Sequence, residues 1–374
     1  MAPQIVILGG GFAGLTAAHK LLKLTTPKAK EAKIVLVSES AHLYWNLASV
    51  RAVIPDQIPD DDLFRPLSDG FTQYPASRFK LIVGKATSVN FTQGTVTVQT
   101  DSRTEPVPYD QLVLATGSSL PNSLPFKHVG STDDTTTALH DMQNKIHQAK
   151  SIVIAGGGAT GVETMGELAQ FYRGQKKLTL VISGHRALAD LIPSVGKAAE
   201  AELAKMGVEM VHNATVTGRQ EETSGSTSLT LSNGNTLQAD LYIPLFGMAA
   251  NTSFLPSSIL TERGDVKLDL TLRVQGMQNV WAVGDVGNLE TKQATKVDPQ
   301  VKHLVNNLQA VLEGNGNGVT EYAPSTKPLI AVTIGRSKGT GQMGGWKLFG
   351  WLVSYMKGRT LLTEKGAALV SGSS

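Results

Sequence analysis

Residues 4–14 read QIVILGGGFAG, a short apolar run that ends abruptly in three glycines. The run is too short for an ordinary helix and is rich in Ile and Val, which predicts a buried strand. The Ala- and Leu-rich spacing of residues 15–22 predicts a helix directly after it. A strand, a glycine turn and a helix in this order are typical of a dinucleotide-binding α/β unit.

The turn has the form G-x-G-x-x-G, in which each glycine has its own mechanical task. Gly9 permits the tight turn, Gly11 lets the backbone approach a pyrophosphate, and Gly14 lets the helix lie close to the strand. Phosphate oxygens would then bind N–H groups at the helix N-terminus. One such motif is weak support for a function, but here the context fits and the motif occurs twice.

The second copy is the segment 151–163, which reads SIVIAGGGATGVE. Gly156, Gly158 and Gly161 repeat the first spacing, so the chain is predicted to hold two dinucleotide sites or one duplicated fold. The strand predicted at 178–182 lacks the acid that usually binds a ribose hydroxyl. Arg186 follows it and could accept a 2′-phosphate, which would admit NADPH, or it could be a solvated loop residue.

Composition limits the classes of protein that the chain can be. At 374 residues with 41% hydrophobic content and a net charge of +3, it is predicted to be globular, with more than one domain and little attraction for nucleic acid. The start Met1-Ala2 leads straight into a strand, which predicts no targeting peptide, and it lacks the glycine needed for myristoylation. No apolar stretch reaches the roughly 20 residues of a membrane-spanning helix. A cytoplasmic protein is expected.

The chain contains no cysteine. This excludes a disulfide framework, a Cys-ligated zinc or iron–sulfur site and a redox-active dithiol. The eight histidines are scattered without metal-ligand spacing, so no metal site is predicted. Any redox chemistry must therefore use a bound organic cofactor.

Three segments of the first half carry further expectations. Residues 33–37 predict a second strand, after which Ser38 stands where a ribose-binding acid is usual. In the following segment HLYWNLASVR, Tyr44 and Trp45 are expected in the core, and Arg51 is a plausible partner for a pyrophosphate. Residues 79–83 and 95–99 alternate like exposed antiparallel strands.

Two more strand ends are candidate ligand sites. The predicted buried strand at 109–114 runs into a small-residue turn with Thr116 and Gly117, modest candidates for cofactor contact. The strand near 278–283 ends in Gly284-Asp285, and an acid at this sheet edge is well placed to bind a ribityl chain. Residues 200–205 and 301–312 predict helices, and the polar stretch 223–228 predicts a hairpin loop.

The motifs GGGFAG, ATGS, GGGATGVE and VGD, in this order, resemble a two-dinucleotide flavoprotein reductase. The segments LASVRA, GVE and IGRSKGTGQ are similar to the ferroptosis-suppressor branch of the apoptosis-inducing-factor family. That branch includes AMID-type NADH:quinone oxidoreductases, is related to type II NADH:quinone oxidoreductases, and has fungal members that HLYWNLASVRA resembles. The resemblance implies a non-covalent FAD in contact with Gly9, Gly10, Gly11, Phe12, Ala13, Arg51, a backbone group near Ala86, and Asp285.

The resemblance also implies an α/β fold with two Rossmann-like domains of the glutathione-reductase type and a small C-terminal α+β region. The expected FAD-binding domain comprises residues 1–120 and 245–320. Residues 121–244 form the expected NAD(P)H-binding domain, and residues 321–374 form the C-terminal region. Ala2 differs from the N-terminal glycine of myristoylated animal members, which puts their lipid anchoring in doubt.

The expected reaction follows from the two cofactors. A reduced nicotinamide, from NADH or NADPH, must stack on the flavin so that its hydride faces the flavin N5. Glu163 is the candidate carboxylate that orients the nicotinamide, and the alternative is a helix-start acid favoured by the helix dipole. Lys296 is a further candidate near the flavin. For this family the acceptor is a quinone.

The segment 346–356 (WKLFGWLVSYM) is apolar and aromatic with basic residues around it. It fits an interfacial helix that docks on a mitochondrial or lipid-droplet membrane and admits a lipophilic quinone. A core helix that covers the flavin, or a contact in a homodimer, is the alternative, and a monomer is equally compatible. Rival functions are reduction of a ferredoxin- or rubredoxin-type carrier and an apoptosis-linked, DNA-binding signalling role.

Overall fold

The computed structural model describes residues 2–222 and 225–373. Its strands form two parallel sheets and several small antiparallel ones. The strands are β1 (Gln4–Leu8), β2 (Lys33–Ser38), β3 (His42–Tyr44), β4 (Phe64–Pro66), β5 (Phe79–Val83), β6 (Lys85–Asn90), β7 (Thr95–Gln99), β8 (Thr104–Pro108), β9 (Gln111–Leu114), β10 (Ser118–Ser119), β11 (Ser151–Ala155), β12 (Lys177–Val181), β13 (Glu209–Val211), β14 (Val216–Glu221), β15 (Thr227–Leu231), β16 (Thr236–Ala239), β17 (Leu241–Pro244), β18 (Ala249–Ala250), β19 (Val280–Ala282), β20 (Leu329–Ile334), β21 (Lys338–Met343) and β22 (Trp346–Lys347).

The α-helices lie between these strands and after them. They are α1 (Phe12–Leu22), α2 (Pro27–Glu31), α3 (Ser49–Ala52), α4 (Asp60–Leu63), α5 (Thr132–Gln148), α6 (Ala159–Tyr172), α7 (Pro193–Lys205), α8 (Val297–Leu312), α9 (Gly350–Val353) and α10 (Lys365–Ser371). A π-helical turn, Ser354–Gly358, follows α9 directly.

The first parallel sheet has the strand order β19-β9-β1-β2-β5, with the strand of the opening motif at its centre. The second has the order β13-β12-β11-β17 and places the strand of the second glycine motif in the same position. Strands of this kind, buried on both faces, are typical of parallel α/β sheets. The predicted α/β class with two such units is confirmed. The exact domain boundaries stay a prediction.

The two chain connections between the sheets lie side by side. Strand β10, on the outgoing connection, pairs antiparallel with β18 on the returning one. Next to them, the Thr116 hydroxyl donates to the Asn251 carbonyl at 2.8 Å, and the Asn251 amide donates to the Thr116 carbonyl at 2.9 Å. These contacts hold the crossover together immediately beside the first sheet.

The prediction for residues 79–83 was wrong. Strand β5 pairs in parallel with β2 at the edge of the first sheet, whereas β7 belongs to a separate antiparallel sheet with β6 and β8. Strand β5 is at the end of the sheet and only Ile82 in it is buried, so its alternation resembles that of an exposed antiparallel strand. Of the predicted hairpin loop at 223–228, residues 223 and 224 lie outside the described part.

The C-terminal region starts with a three-stranded antiparallel sheet of β20, β21 and β22. Residues 346–356, expected as one helix, instead comprise the end of this sheet, the short α9 and the beginning of the π-helical turn. Within the described ranges, no helix has the length and apolar content that crossing a membrane requires.

Candidate functional site

The first glycine turn connects β1 to α1 at the carboxyl edge of the first sheet. Gly9 has φ of +114°, and a Cβ there would lie 2.3 Å from the Ala115 carbonyl oxygen. A Cβ on Gly14 would lie 1.8 Å from the Gly9 carbonyl oxygen, so only glycine lets the helix approach this closely. A Cβ on Gly11 would meet no atom within 4 Å. Gly11 therefore faces open space, as a backbone that receives a pyrophosphate must.

The second glycine turn repeats this geometry between β11 and α6. Gly156 has φ of +133°, and a Cβ on Gly161 would lie 1.9 Å from the Gly156 carbonyl oxygen. Gly158, which precedes the helix, again faces open space. The two turns have the same geometry at equivalent positions, which supports two equivalent dinucleotide cradles.

Ser38 lies at the end of β2 directly under the first turn. It is buried, its hydroxyl donates to the Ser40 carbonyl at 2.6 Å, and a Cβ on Gly10 would lie 2.4 Å from that hydroxyl oxygen. Ala86 is close to the same sheet edge, because Gly84, two residues earlier, donates its N–H to the Ser38 carbonyl at 2.8 Å. Phe12 and Ala13 open α1 at this edge. These predicted contacts therefore share one edge of the first sheet.

Asp285 completes that edge. It follows β19 in a 3-10 turn, and a Cβ on the preceding Gly284 would lie 3.1 Å from Ala13 in the first turn of α1. One oxygen of the Asp285 carboxylate, Oδ2, accepts hydrogen bonds from the Ser118 hydroxyl at 2.7 Å and the Lys127 ammonium at 2.9 Å. Gly117, with φ of +69°, precedes Ser118. Lys127 was not identified from the sequence, in which no motif surrounds it.

Glu163 lies on α6, one turn beyond the second glycine turn. It is 5% exposed, and its Oε1 accepts from the Thr333 N–H at 2.9 Å, the Thr333 hydroxyl at 3.3 Å and the Lys357 ammonium at 2.6 Å. No acid lies in the first turn of α6, so the alternative of a helix-start acid does not hold. The C-terminal region thus fixes one oxygen of the candidate carboxylate.

Arg51 does not have the role expected from the sequence. It is 1% exposed and binds Glu167 on α6 through two parallel hydrogen bonds, Nε to Oε2 at 2.7 Å and Nη2 to Oε1 at 2.8 Å. It also donates to the carbonyls of Gly358 at 2.6 Å and Arg359 at 2.9 Å. A guanidinium committed to a buried carboxylate and two carbonyls is a structural link and not a pyrophosphate ligand.

Glu167, on α6, was not predicted from the sequence as a site residue. It lies four residues after Glu163, on the same helix face, and is equally buried. Burial raises the pKa of Glu167 above its ordinary value, although the Arg51 guanidinium opposes the shift. A second acid within the apolar run VETMGELA was the signal that could have indicated a buried partner.

Lys296 is also occupied. It lies at the start of α8, is 8% exposed, donates to the Ser325 carbonyl at 2.7 Å and is paired with Glu290 at 3.3 Å. Because Glu290 in turn accepts from Gln300 and Tyr322, Lys296 belongs to a buried polar network around α8. These contacts do not support the expected position of Lys296 beside the flavin.

Arg186 binds its own loop. Its Nη2 donates to the carbonyls of Ala189, at 2.8 Å, and Leu191, and its Nη1 lies 3.1 Å from the His185 ring. The side chain also covers Gly196 at the start of α7. Arg186 therefore stabilises the loop after β12. It is neither a free 2′-phosphate ligand nor a solvated loop residue, the two roles expected from the sequence.

The two sheet edges fit the groups that their motifs imply. Each offers an open glycine cradle at a helix N-terminus for phosphates, and the first adds a carboxylate at the adjacent strand end for a ribityl hydroxyl. These observations are independent of any sequence likeness. They agree with one FAD at the first turn and one pyridine nucleotide at the second.

Comparison with known proteins agrees with this geometry. Residues 3–308 match the pyridine nucleotide-disulphide oxidoreductase family. The chain belongs to this family. Members bind FAD together with NADH or NADPH, the cofactors expected above.

Relatives extend over the whole chain. The oxidoreductase ptaL of Pestalotiopsis fici is 39% identical over 99% of both chains. The ferroptosis suppressor protein 1 of Xenopus tropicalis is 30% identical over 97% of this chain and 94% of its own. Among solved structures, the sulfide:quinone oxidoreductase of Aquifex aeolicus superposes with a TM-score of 0.79 over 99% of this chain and 92% of its own, at 17% identity, which shows a shared fold.

Proposed function

We propose that the protein is an FAD-dependent NAD(P)H:quinone oxidoreductase of the ferroptosis-suppressor branch. The observation that carries the proposal is the link between Glu163, beside the second glycine turn, and Lys357, which lies 2.6 Å away in the π-helical turn. Tyr355 and Met356, the residues just before Lys357, are 63% and 60% exposed. An apolar surface is therefore joined directly to the helix that would bind the nicotinamide.

The glycine turns, Asp285 and Glu163 would each have a separate role in such a reaction. The two glycine cradles would bind the pyrophosphates, and Asp285 would accept hydrogen bonds from the ribityl chain. Glu163, held by Thr333 and Lys357, would orient the nicotinamide. The FAD, when bound, supplies two-electron chemistry between nicotinamide and acceptor. With no cysteine in the chain, the flavin cannot pass its electrons to a disulfide or persulfide formed by the protein's own side chains.

Quinone turnover is the direct test. We expect the purified yellow protein to oxidise NADH or NADPH with ubiquinone analogues as acceptors, because the exposed aromatic segment gives an apolar acceptor a surface next to the Lys357–Glu163 link. Steady-state kinetics with both nicotinamides and a series of quinones should give saturable turnover. Turnover with a ferredoxin- or rubredoxin-type carrier and none with quinones would contradict the proposal and favour a carrier reductase.

The aromatic surface of the C-terminal region supports a peripheral membrane contact. We define it as the exposed side chains of Met343, Trp346, Phe349, Trp351, Tyr355 and Met356. Trp346 is 80% exposed and Phe349 70%, so a core helix over the flavin is excluded for this segment. Exposed Lys338, Lys347 and Arg359 accompany it. Aromatic and basic side chains together fit the interface of a membrane that contains anionic lipid.

Replacing two of these tryptophans should weaken membrane binding. We expect the Trp346→Ser/Trp351→Ser variant to bind phosphatidylserine-containing liposomes at least tenfold more weakly than the parent protein in co-sedimentation. A tenfold loss corresponds to about 1.4 kcal/mol, and full burial of one large apolar side chain contributes about 1.5–3 kcal/mol. Phe171→Ser is the matched control, because Phe171 is an exposed aromatic residue at the far end of α6. Equal binding of both variants and the parent would refute the contact.

A further inference from the structure

The carboxylate of Asp285 is bound by two side chains of one connection. Ser118 and Lys127 both come from the outgoing link between the two sheets, and both donate to the same oxygen, Oδ2. The side chains of Lys127 and Asp285 are 25% and 14% exposed. The pair thus lies within the rim of the first dinucleotide cradle, next to the first turn of α1.

Lys127 is the cation assigned to this carboxylate. Lys292 also comes close, but its ammonium donates to the Asp285 backbone carbonyl at 2.6 Å and is paired with Asp265 at 2.6 Å. The charge of Lys292 is therefore compensated by another acid. The negative charge of Asp285 is balanced by Lys127, 158 residues away along the chain.

A carboxylate beside a flavin has an electrostatic consequence. Reduction adds two electrons to the flavin, and its reduced form carries more negative charge than its oxidised form. An uncompensated carboxylate nearby would disfavour the reduced form, and a paired cation would remove that effect. Only a charged partner does so, because a neutral hydroxyl such as that of Ser118 contributes a hydrogen bond and no net charge.

We propose that Lys127 is a positioning residue that fixes the Asp285 carboxylate for FAD and compensates its charge, which makes the bound flavin easier to reduce. The inference rests on FAD binding at the first glycine turn. It assigns to the interdomain connection, outside both glycine motifs, a part in setting the flavin potential.

The test uses full-length protein stripped of FAD and reconstituted. For Lys127→Met we expect the affinity for reduced FAD to fall about tenfold more than the affinity for oxidised FAD, which corresponds to a midpoint potential about 30 mV lower for a two-electron couple. Lys127→Arg should retain the parent potential. Fluorescence titration gives the dissociation constant of oxidised FAD, and equilibration with reference dyes gives the potential.

Two further variants separate charge from structure. Ser118→Ala removes a hydrogen bond to the same Asp285 oxygen and no charge, so it should weaken FAD binding and leave the potential unchanged. Lys205→Met, which removes an exposed lysine paired with Glu202 on α7, should change neither. Lys127→Gln replaces Lys127→Met if the latter does not fold.

The outcomes are distinct. Parent protein that binds FAD, together with a Lys127→Met or Lys127→Gln potential equal to that of the parent, would overturn this inference and leave the proposed function intact. Parent protein that binds no FAD would overturn both. A lowered potential in Lys127→Met that Lys127→Arg does not show would support the inference.

Discussion

Arg51→Met is expected to destabilise the protein by about 3–5 kcal/mol, the usual cost of removing one partner of a buried ion pair. The guanidinium is 1% exposed and makes four hydrogen bonds, two of them to the Glu167 carboxylate. Without it, Glu167 would be left as a buried charge, and the carbonyls of Gly358 and Arg359 would lose a donor. Urea denaturation followed by circular dichroism measures the free energy of unfolding.

The loss should depend on pH. Burial already raises the pKa of Glu167, and removing Arg51 removes the interactions that oppose this shift. A carboxyl with a raised pKa in the folded state contributes stability below its unfolded pKa and loses that contribution as pH rises through its folded pKa. The Arg51→Met variant should therefore be less impaired at pH 5 than at pH 8.

A double variant provides the control for this prediction. Arg51→Met/Glu167→Gln removes both charges, so it should be more stable than Arg51→Met alone at pH 8 and should lose the added pH dependence. If Arg51→Met were as stable as the parent protein, the link would have no structural importance. Arg51 would then again be a candidate for binding the pyrophosphate.

Glu163→Gln is expected to slow flavin reduction by NADH or NADPH about 100-fold, the scale of effect that misplacing a reactant can have. The carboxylate Oε1 accepts from Thr333 and from the Lys357 ammonium, and an amide cannot maintain the same charge-assisted contact with Lys357. Stopped-flow absorbance of the flavin after mixing with the nicotinamide measures the rate.

Glu202→Gln is the matched control for this measurement. Glu202 is an acid on a helix of the same sheet unit, α7, but it is paired only with the exposed Lys205. Its replacement should leave the reduction rate unchanged. An unchanged rate in Glu163→Gln as well would remove Glu163 from the reaction, and thermal unfolding of each variant separates a slower reaction from a loss of folded protein.

The parts of the site that could be predicted from the sequence are those that depend on local backbone geometry. Gly9, Gly11 and Gly14 lie within six residues of one another. Gly9 has φ of +114°, a Cβ on Gly14 would clash with the Gly9 carbonyl, and Gly11 leaves the cradle open. The second glycine turn obeys the same rule. The predicted burial of Tyr44 and Trp45, each 4% exposed, was confirmed as well, because large aromatic side chains in an apolar segment gain much free energy from burial.

The parts that could not be predicted are pairings across long stretches of chain. Arg51 pairs with Glu167, 116 residues away along the chain, and Asp285 pairs with Lys127, 158 residues away. A charged residue in a sequence does not indicate which distant charge will neutralise it. The expectation that Arg51 binds a phosphate was reasonable for an isolated cation and was wrong once α6 brought Glu167 to it.

Helix α6 also explains why the C-terminal region was misjudged. A Cβ on Gly166 would lie 2.8 Å from the Ile334 Cα, so this glycine admits β20 directly against the helix. Glu163, Glu167 and Gln170, on one face of α6, then receive Thr333, Lys357, Arg51 and the Arg336 N–H. The aromatic segment could therefore be recognised as unusual, but not its attachment to this helix.

Shortening the chain at its C-terminus would therefore remove buried contacts as well as exposed residues. Without the residues after Gly344, Glu163 would lose its ammonium partner, and Arg51 would lose two carbonyl acceptors in the interior. The last thirty or so residues complete the inside of the molecule as well as its outer face. If the proposed membrane contact exists, such a shortened protein would lose lipid affinity and folding together, whereas we expect single changes among the outward-facing aromatic residues to alter lipid affinity alone.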